Sequence, residues 1–542
     1  MSSLLVFFRR FGTALLTGLL LWLSWPERGF TPLIFGAFVP LLWLERQIER
    51  SKDSRKGWRF FGWSFLALGT WNGLTTWWIW NSTDVGAIVA LGLNTLFMCV
   101  PWAAFHLTKR SHGPATGYLS LIFYWIGFEY LHLNWDISWP WLTLGNVFAS
   151  HPEWVQWYEY TGTLGGSLWV LGVNLLIFQI IKNVFGRELL AKLRRINTLV
   201  LSANMVGLIL LPLFFSVWRY QRVSDKGEPV NVVVVQPNID PYNEKFNGTG
   251  SAQVAKLLQL ASTEADSSTD LIIGPETALP DGLWEEQIGI DKDVRTIRTW
   301  LQDYPKASFL AGLSSYKQYQ AGEPVSATAR KFKDADAYYD AYNSAMLLDR
   351  NGNLQLYHKS RLVPGVEKMP YPKLFGFLED YAIELGGTSG SLGMQKNRTN
   401  FETASGLKIA PAICYESIYG DFLRAYFRGG AGFLAVITND GWWGNTPGYR
   451  QHFEYARLRA VEFRKCVARS ANTGISCFIN QRGDVVAQSG WWEDAVLKHT
   501  LLANDRVTFY ARHGDYIGFL CAFLAVSLLS FVLFRKLISR SR

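Results

Sequence analysis

The feature that most restricts this chain is a series of apolar runs approaching the length needed to cross a bilayer. Crossing about 30 Å of hydrocarbon takes roughly 20 helical residues. Seven candidates fall before residue 220, at Phe11–Trp25, Thr31–Leu44, Phe60–Trp80, Val85–Leu107, Thr116–Leu133, Gly165–Ile181 and Ile196–Trp218, and an eighth lies at Tyr516–Phe534. A backbone in lipid must satisfy its own N–H and C=O groups, so such runs fold as helices. The expectation is a multi-pass α-helical membrane domain with eight transmembrane helices. The first two runs are short and closely spaced, either a tight hairpin through Pro26-Glu27-Arg28-Gly29 or partly re-entrant. Arg9-Arg10 precede the first run as in a signal peptide. Trp25-Pro26-Glu27 is no small-residue cleavage site, however, so an uncleaved span is expected.

Basic residues orient the spans. With a cytoplasmic N-terminus, the inside segments hold nineteen Lys/Arg and the three short outside loops hold only Arg28. Arg219 and Arg222 run against the rule, but they open a long domain, where it weakens. This parity places both termini in the cytoplasm and residues 221–511 outside it. Eighteen of the 24 Trp lie in the first 220 residues, as expected for a front half rich in membrane–water boundaries. Most of the Trp in the outside loop 134–164 (Trp135, Trp139, Trp141, Trp154 and Trp157) read as interfacial anchors. The domains are thus 1–220, 221–511, and 512–542 for the last span with a basic tail.

Net charge follows the same division. The whole chain carries +9, but residues 221–511 sum to −2, with +7 before them and +4 after. A nucleic-acid binder would show a basic globular face, so no nucleic-acid partner is expected.

From Val230 the pattern changes to short β-rich runs. Val230–Gln236, Asp270–Ile273, Ser308–Leu313, Ala345–Asp349, Leu354–Tyr357, Leu407–Ile413, Gly432–Thr438, Val467–Ala471, Ile475–Asn480 and Val485–Gln488 read as strands. Arg350-Asn351-Gly352-Asn353 and Gln481-Arg482-Gly483-Asp484 read as hairpin turns. Helical patterns at Ser251–Glu264, Lys292–Asp303 and Gln451–Phe463 alternate with them, which indicates a single α/β domain.

Chemistry is expected just beyond strand ends. Cys414 follows Leu407–Ile413. Glu276 sits between two prolines in Gly274-Pro275-Glu276-Thr277-Ala278-Leu279-Pro280, directly after a strand. Lys359 closes another strand in Tyr357-His358-Lys359-Ser360-Arg361-Leu362-Val363-Pro364. Each has an ordinary structural alternative: a buried Cys is usually a small hydrophobe, and a turn carboxylate or strand-end Lys is usually solvated. His358 invites a Cys–His pairing, but neighbours on a strand face opposite ways, so only one of His358 and Lys359 can join a common site. A thiol needs a base or a nearby cation before it attacks an acyl carbonyl. A Glu can carry its proton and a Lys can stabilise the oxyanion. The resulting thioester is open to a second nucleophile. With no CxxC pair and no ligand spacing, no metal and no cofactor are expected. The other cysteines, Cys99, Cys466, Cys477 and Cys521, are expected to be inert; a Cys466–Cys477 disulfide is left open.

These residues, in this order and in this membrane frame, resemble the Glu-Lys-Cys triad of the nitrilase superfamily, and over essentially the whole length the chain resembles the bacterial apolipoprotein N-acyltransferase family. The motifs are Pro-Glu-Thr-Ala around Glu276, Tyr-x-Lys-x-x-Leu-Val-Pro around Lys359 and Ile-Cys-Tyr-Glu around Cys414. Thr438-Asn439-Asp440-Gly441-Trp442-Trp443 and Gln451-His452 agree as well. The resemblance implies a nitrilase-like four-layer α-β-β-α sandwich on the outer, periplasmic face of the bacterial inner membrane. It implies that Cys414 takes an acyl chain from a phospholipid, typically phosphatidylethanolamine, and passes it to the α-amine of a diacylglyceryl-cysteine at the N-terminus of an apolipoprotein. It further implies supporting roles for Glu367, Tyr415, Glu416 and Phe246, and a monomer. The chain departs from the family's pattern at Gly274, where an aromatic is common, at Gly365-Val366 before Glu367, and at Phe246 in place of a Trp.

Both substrates carry acyl chains, so a site at the bilayer surface would let them arrive laterally. Apolar residues in the arm Gly365–Ile383 (Met369, Tyr371, Leu374, Phe375 and Phe377) could admit the chains or simply pack a long loop. A membrane-tethered amidase with the same triad is the competing enzyme, and eight spans are excessive for a tether. A transporter or sensor would need ionisable residues within the spans; Glu129 is the clearest of few.

Overall fold

The computed structural model describes residues 3–185, 191–245, 248–371 and 391–541. The chain divides into two compact units, one of residues 1–80, 87–222 and 513–542, the other of residues 81–86 and 223–512.

Among the described residues of the first unit, five helices are long and apolar enough to cross a membrane: Leu4–Ser24, Asp84–Asn134, Thr163–Phe185, Arg194–Arg222 and Tyr516–Ile538. The 51-residue helix Asp84–Asn134 joins two of the expected runs and breaks at Gly113, where φ is 85° and ψ 172°. Glycine accepts that conformation, and Pro114 removes the next N–H. Lys56–Thr76 is also helical over 21 residues but is less apolar. The expectation for Thr31–Leu44 needs correction. That run forms a 3-10 turn, Thr31–Phe35, and then a helix of 11 residues, Val39–Glu49. Pro32 and Pro40 are tolerated only in a first helical turn, so the helix starts again at Val39 and rises about 17 Å.

The Trp enrichment also has a second cause. Trp25, Trp71, Trp78, Trp102, Trp125 and Trp141 are among the largest fully buried side chains. Trp71 meets Trp25 at 5.3 Å and Trp125 at 6.5 Å between ring centroids, and Trp78 meets Trp141 at 4.8 Å. Trp141 therefore packs a core instead of anchoring at an interface. Glu129 is also structural in its contacts, accepting hydrogen bonds from the Trp125 indole (2.9 Å) and the Leu144 N–H (2.8 Å).

The second unit contains two sheets. Strands β1 (Glu228–Gln236), β2 (Leu271–Ile273), β3 (Leu279–Trp284), β4 (Ser308–Gln318), β5 (Arg330–Lys331), β6 (Tyr338–Asp349) and β7 (Leu354–His358) are followed by β8 (Phe401–Glu402), β9 (Lys408–Ile413), β10 (Phe433–Thr438), β11 (Val467–Ala471), β12 (Cys477–Ile479), β13 (Val485–Gln488) and β14 (Ala495–Ala503). One sheet runs β14-β1-β2-β4-β6-β5, with β3 on β4 and β7 on β6; the other runs β13-β12-β11-β10-β9-β8. The two turns read from sequence close β6–β7 and β12–β13, with Gly352 and Gly483 both at φ 90°.

Helices Gly250–Ala261 and Lys292–Trp300 start at Thr249 and Asp291, whose side chains accept N–H bonds from the first turn. Their apolar positions Val254, Leu257 and Ile297 join Val233, Val235 and Phe309 of the first sheet in one buried cluster. Val232 and Val234, of opposite parity on β1, are buried as well, so that sheet is covered on both faces. Helices Gly420–Arg428 and Pro447–Phe463 follow β9 and β10. β9, β10 and β11 are parallel neighbours, which gathers the residues beyond β9 and β10 at one end of the sheet.

Candidate active site

Glu276 lies in the turn between β2 and β3 and is buried, not solvated as an ordinary turn residue would be. The turn is laid directly on β4: the Gly274 N–H donates to the Leu310 carbonyl (2.8 Å) and the Gly312 N–H to the Pro275 carbonyl (3.0 Å). Gly312 makes this approach possible, because a Cβ there would stand 2.7 Å from the Glu276 Cα and 2.4 Å from the Thr277 N.

Lys359 follows β7, and its N–H donates to the Asn343 carbonyl (2.8 Å). Its buried ammonium reaches Glu276 Oε1 at 3.0 Å and Glu367 Oε1 at 2.8 Å. Glu367 is fixed in turn by the Val363 N–H on its other oxygen (2.8 Å). Asn343 makes a second bridge, with Nδ2 donating to Glu276 (2.7 Å) and Glu367 (3.1 Å). The remaining Glu276 oxygen accepts the Asn439 N–H (3.1 Å) at the end of β10. His358 takes no part. It faces the other way, toward Ser344 (2.8 Å) and Glu285 (3.3 Å), and stacks on Tyr342.

Cys414 begins a 3-10 turn after β9 with φ at 50°, a left-handed conformation that a side-chain-bearing residue adopts only when held there. Glu416 ties this turn to the loop carrying Lys359. Its Oε2 accepts the Ile413 N–H (2.8 Å), while Oε1 accepts the Ser360 N–H (2.6 Å) and the Tyr357 hydroxyl (2.7 Å). Tyr415 is buried with its ring edge-on to Tyr419 at 5.2 Å. Phe246 and the arm residues Leu374, Phe375 and Phe377 lie outside the described residues; of the arm, Met369 is buried and Tyr371 exposed.

The electrostatics separate the three groups. Burial opposes ionisation of Glu276, but the Lys359 ammonium, the Asn343 hydrogen bond and the Lys245 ammonium together hold its carboxyl below the usual range. Burial also works against the Lys359 charge, and Glu276 and Glu367 outweigh it, raising that pKa well above the ordinary value. The Cys414 thiol is pushed up strongly, by burial first and then by the Glu276 charge. The resting arrangement is a neutral thiol within electrostatic reach of a carboxylate that can accept a proton and an ammonium that can stabilise an oxyanion.

Cys414, Asp440 and His452 bring one potential metal-ligand atom each within 4.8 Å of one another. The Asp440 and His452 atoms are already engaged. Asp440 binds Arg469 and the Thr438 hydroxyl, and both His452 nitrogens have partners. All five cysteines are free, Cys466 and Cys477 included.

Residues 17–176 match the apolipoprotein N-acyltransferase N-terminal domain, and residues 231–507 match the carbon-nitrogen hydrolase family. An apolipoprotein N-acyltransferase of Chlorobaculum tepidum is 32% identical over 528 residues, covering 94% of each chain. The chain belongs to the apolipoprotein N-acyltransferase family. A second member, from Geobacter metallireducens, is 28% identical over 94% of this chain and 92% of its own. A solved branch-10 nitrilase-superfamily protein of Saccharomyces cerevisiae aligns with 53% of this chain and 93% of its own, at 15% identity and a TM-score of 0.35.

Three contributors in this apolipoprotein N-acyltransferase family member escaped the sequence reading. Asn343 lies on β6 before the stretch read as a strand, so its place on a common face was hidden. Lys245, next to Phe246, is buried with Nζ 3.2 Å from the Glu276 carbonyl; burial pushes its pKa down to about 8. A lone basic residue three positions before Gly248 carries no signal of that burial. The Asp440–His452 pair lay in motifs that were noted but given no role.

Proposed function

We propose that this chain transfers an acyl chain from a phospholipid, such as phosphatidylethanolamine, to the α-amine of the N-terminal diacylglyceryl-cysteine of apolipoproteins, the last step of lipoprotein maturation. The observation that carries the mechanism is the Lys359 ammonium held between Glu276 and Glu367 in the electrostatic neighbourhood of Cys414.

In the first half-reaction Glu276 takes the Cys414 proton as sulfur bonds to the ester carbonyl carbon. Lys359 stabilises the oxyanion. The ester C–O bond then breaks, and Glu276 returns the proton to the departing lysophospholipid oxygen. In the second, the acceptor nitrogen attacks the thioester, the C–S bond breaks, and Glu276 moves the amine proton to the sulfur. This is a ping-pong sequence in which Glu276, Lys359 and Cys414 are the catalytic triad. Glu367 and Asn343 hold the carboxylate and the cation together, Glu416 and Tyr415 support the thiol turn, and Phe246 takes a supporting role. No cofactor or metal enters.

The domain of residues 223–512 is read as a four-layer α-β-β-α nitrilase fold on the periplasmic side of the inner membrane, in a monomer. Support comes from the concentration of Lys/Arg in the opposite loops and from the membrane-compatible helices on both sides of that domain. Eight crossings include residues 31–49 as a 3-10 turn plus short helix. The full-length likeness to proteins named apolipoprotein N-acyltransferase favours this reading over a tethered amidase.

The test is lipoprotein N-acylation by the full-length Cys414→Ser and Cys414→Ala variants in phospholipid-containing detergent. Both should lose activity with no thioester. Retained activity would overturn the mechanism.

A further inference from the structure

The left-handed turn at Cys414 needs a restraint that neither Glu276 nor Lys359 supplies. For a residue other than glycine this conformation costs about 1–2 kcal/mol. The Cys414 carbonyl points at two side chains: the Ser417 hydroxyl donates to it at 2.7 Å, and His452 Nε2 stands 3.2 Å away. His452 Nε2 is also 3.0 Å from the Ser417 Oγ, and burial with the Arg469 charge favours the neutral ring, so Nδ1 keeps its proton toward Asp440 while Nε2 and the Cys414 carbonyl share the Ser417 hydroxyl in a closed triangle.

The imidazole is itself anchored. Its Nδ1 lies 2.9 Å from Asp440 Oδ1. Asp440 accepts the Thr438 hydroxyl at 2.7 Å on that oxygen and pairs with the Arg469 guanidinium through the other. Asp440, His452 and Arg469 are buried, within the unit that holds the candidate site. Thr438 ends β10, His452 lies in helix Pro447–Phe463, and Arg469 lies on β11. Three separate elements thus converge on one imidazole whose far edge meets the nucleophile's own carbonyl. Burying an Asp–Arg pair is costly, and a core of this size could be packed with apolar side chains instead. The geometry gives the pair a directional task.

We propose that Asp440 and His452 are positioning residues for the acyl-transfer reaction: they lock the Cys414 carbonyl through the Ser417 triangle and thereby aim the thiol at the acyl carbonyl. The inference rests on Cys414 being the nucleophile. His452 acts through Cys414 and does not itself carry the thiol proton, which goes to Glu276.

The test uses the full-length protein in phospholipid–detergent micelles, with phosphatidylethanolamine as the acyl donor. Thioester formation on Cys414 is followed by mass spectrometry in the parent and in His452→Leu, His452→Gln and Asp440→Asn. Thermal melts of each variant run alongside. A Gln amide oxygen can replace Nε2 as an acceptor of the Ser417 hydroxyl, but the side chain lacks the ring N–H that faces Asp440. Losing one such hydrogen bond corresponds to about a tenfold change in rate. His452→Leu should therefore slow thioester formation by about tenfold or more, with the phospholipid concentration at half-maximal rate unchanged, and His452→Gln should recover part of that loss. Asp440→Asn should fall between the parent and His452→Leu. Parental rates in His452→Leu and Asp440→Asn would overturn the proposal. So would His452→Gln losing as much rate as His452→Leu in step with its melting temperature, because that marks a merely structural role. If a variant does not fold, the remaining two decide by the same criteria. A parent with no adduct on Cys414 would instead overturn the underlying thioester reading, and the positioning role with it.

Discussion

The Glu416 carboxylate accepts the backbone N–H of Ser360 at 2.6 Å, joining the turn that bears Cys414 to the loop that bears Lys359. A bond of that kind makes the distance between nucleophile and cation a property of the backbone rather than of flexible side chains. Removing a buried acceptor strands its donors, which costs about 1–3 kcal/mol. In Glu416→Gln an amide NH2 takes the place of one oxygen, so at least one of the Ile413 and Ser360 N–H groups meets a donor. A melting temperature several degrees lower is expected, measured by scanning calorimetry of the detergent-solubilised protein.

The same residue gives a pH signature. Burial raises the Glu416 pKa from 4.5 to about 7. Between those values the folded protein holds a proton that the unfolded chain releases, so this group's contribution is fully present below pH 4.5 and is lost as pH rises through about 7. Glu416→Gln lacks that titration. The stability gap between parent and variant should therefore narrow from pH 4.5 to 7, and a gap independent of pH would contradict the assignment.

Asn343 bridges Glu276 and Glu367 through a single amide nitrogen, so its replacement tests the charge balance directly. Glu276 is held below the usual carboxyl range, so thioester formation should stay flat across neutral pH and fall only in acid below that range. Asn343→Asp sets a third carboxylate against these two and raises the Glu276 pKa. The acid limb of the rate profile should move to higher pH. An unmoved limb would remove Glu276 from the role of base.

Gly312 has no functional group, yet its substitution should be among the most damaging in the domain. A methyl at this position would collide with the backbone at Glu276 and Thr277. Overpacking of this kind typically costs about 1–3 kcal/mol, and the turn must shift to relieve it. Gly312→Ala should lose most thioester formation, by displacement of Glu276, while a retained rate would show that the turn does not need to lie on β4.

How much of this was legible depended on whether the information was local. Glu276, Lys359 and Cys414 each stand just past an apolar strand, a pattern visible in a few residues, and strand alternation was enough to set His358 apart from Lys359. The long strands were found but cut short: β6 begins at Tyr338, and reading it from Ala345 removed Asn343 from view. Polar residues such as Asn343 and Asp340 interrupt the apolar signal there, because they are paid for by partners far away in sequence. β14 was missed altogether, since Lys498, His499 and Thr500 break its alternation while its nine-residue pairing with β1 supplies the stabilisation. In the membrane unit, Trp counts recorded membrane character but could not distinguish a boundary ring from one stacked in the core, as Trp71 and Trp125 are.

The account's central claim is a covalent one, and peptide-level mass spectrometry tests it most directly. The full-length protein is incubated with phosphatidylethanolamine of a single known acyl composition and then digested under conditions that preserve thioesters. The predicted result is one acyl mass on the peptide containing Cys414, with release of an equal amount of lysophospholipid, and loss of that mass on addition of a diacylglyceryl-cysteine peptide. An acceptor that becomes N-acylated while Cys414 remains unmodified, or while the adduct sits on another residue, would contradict it.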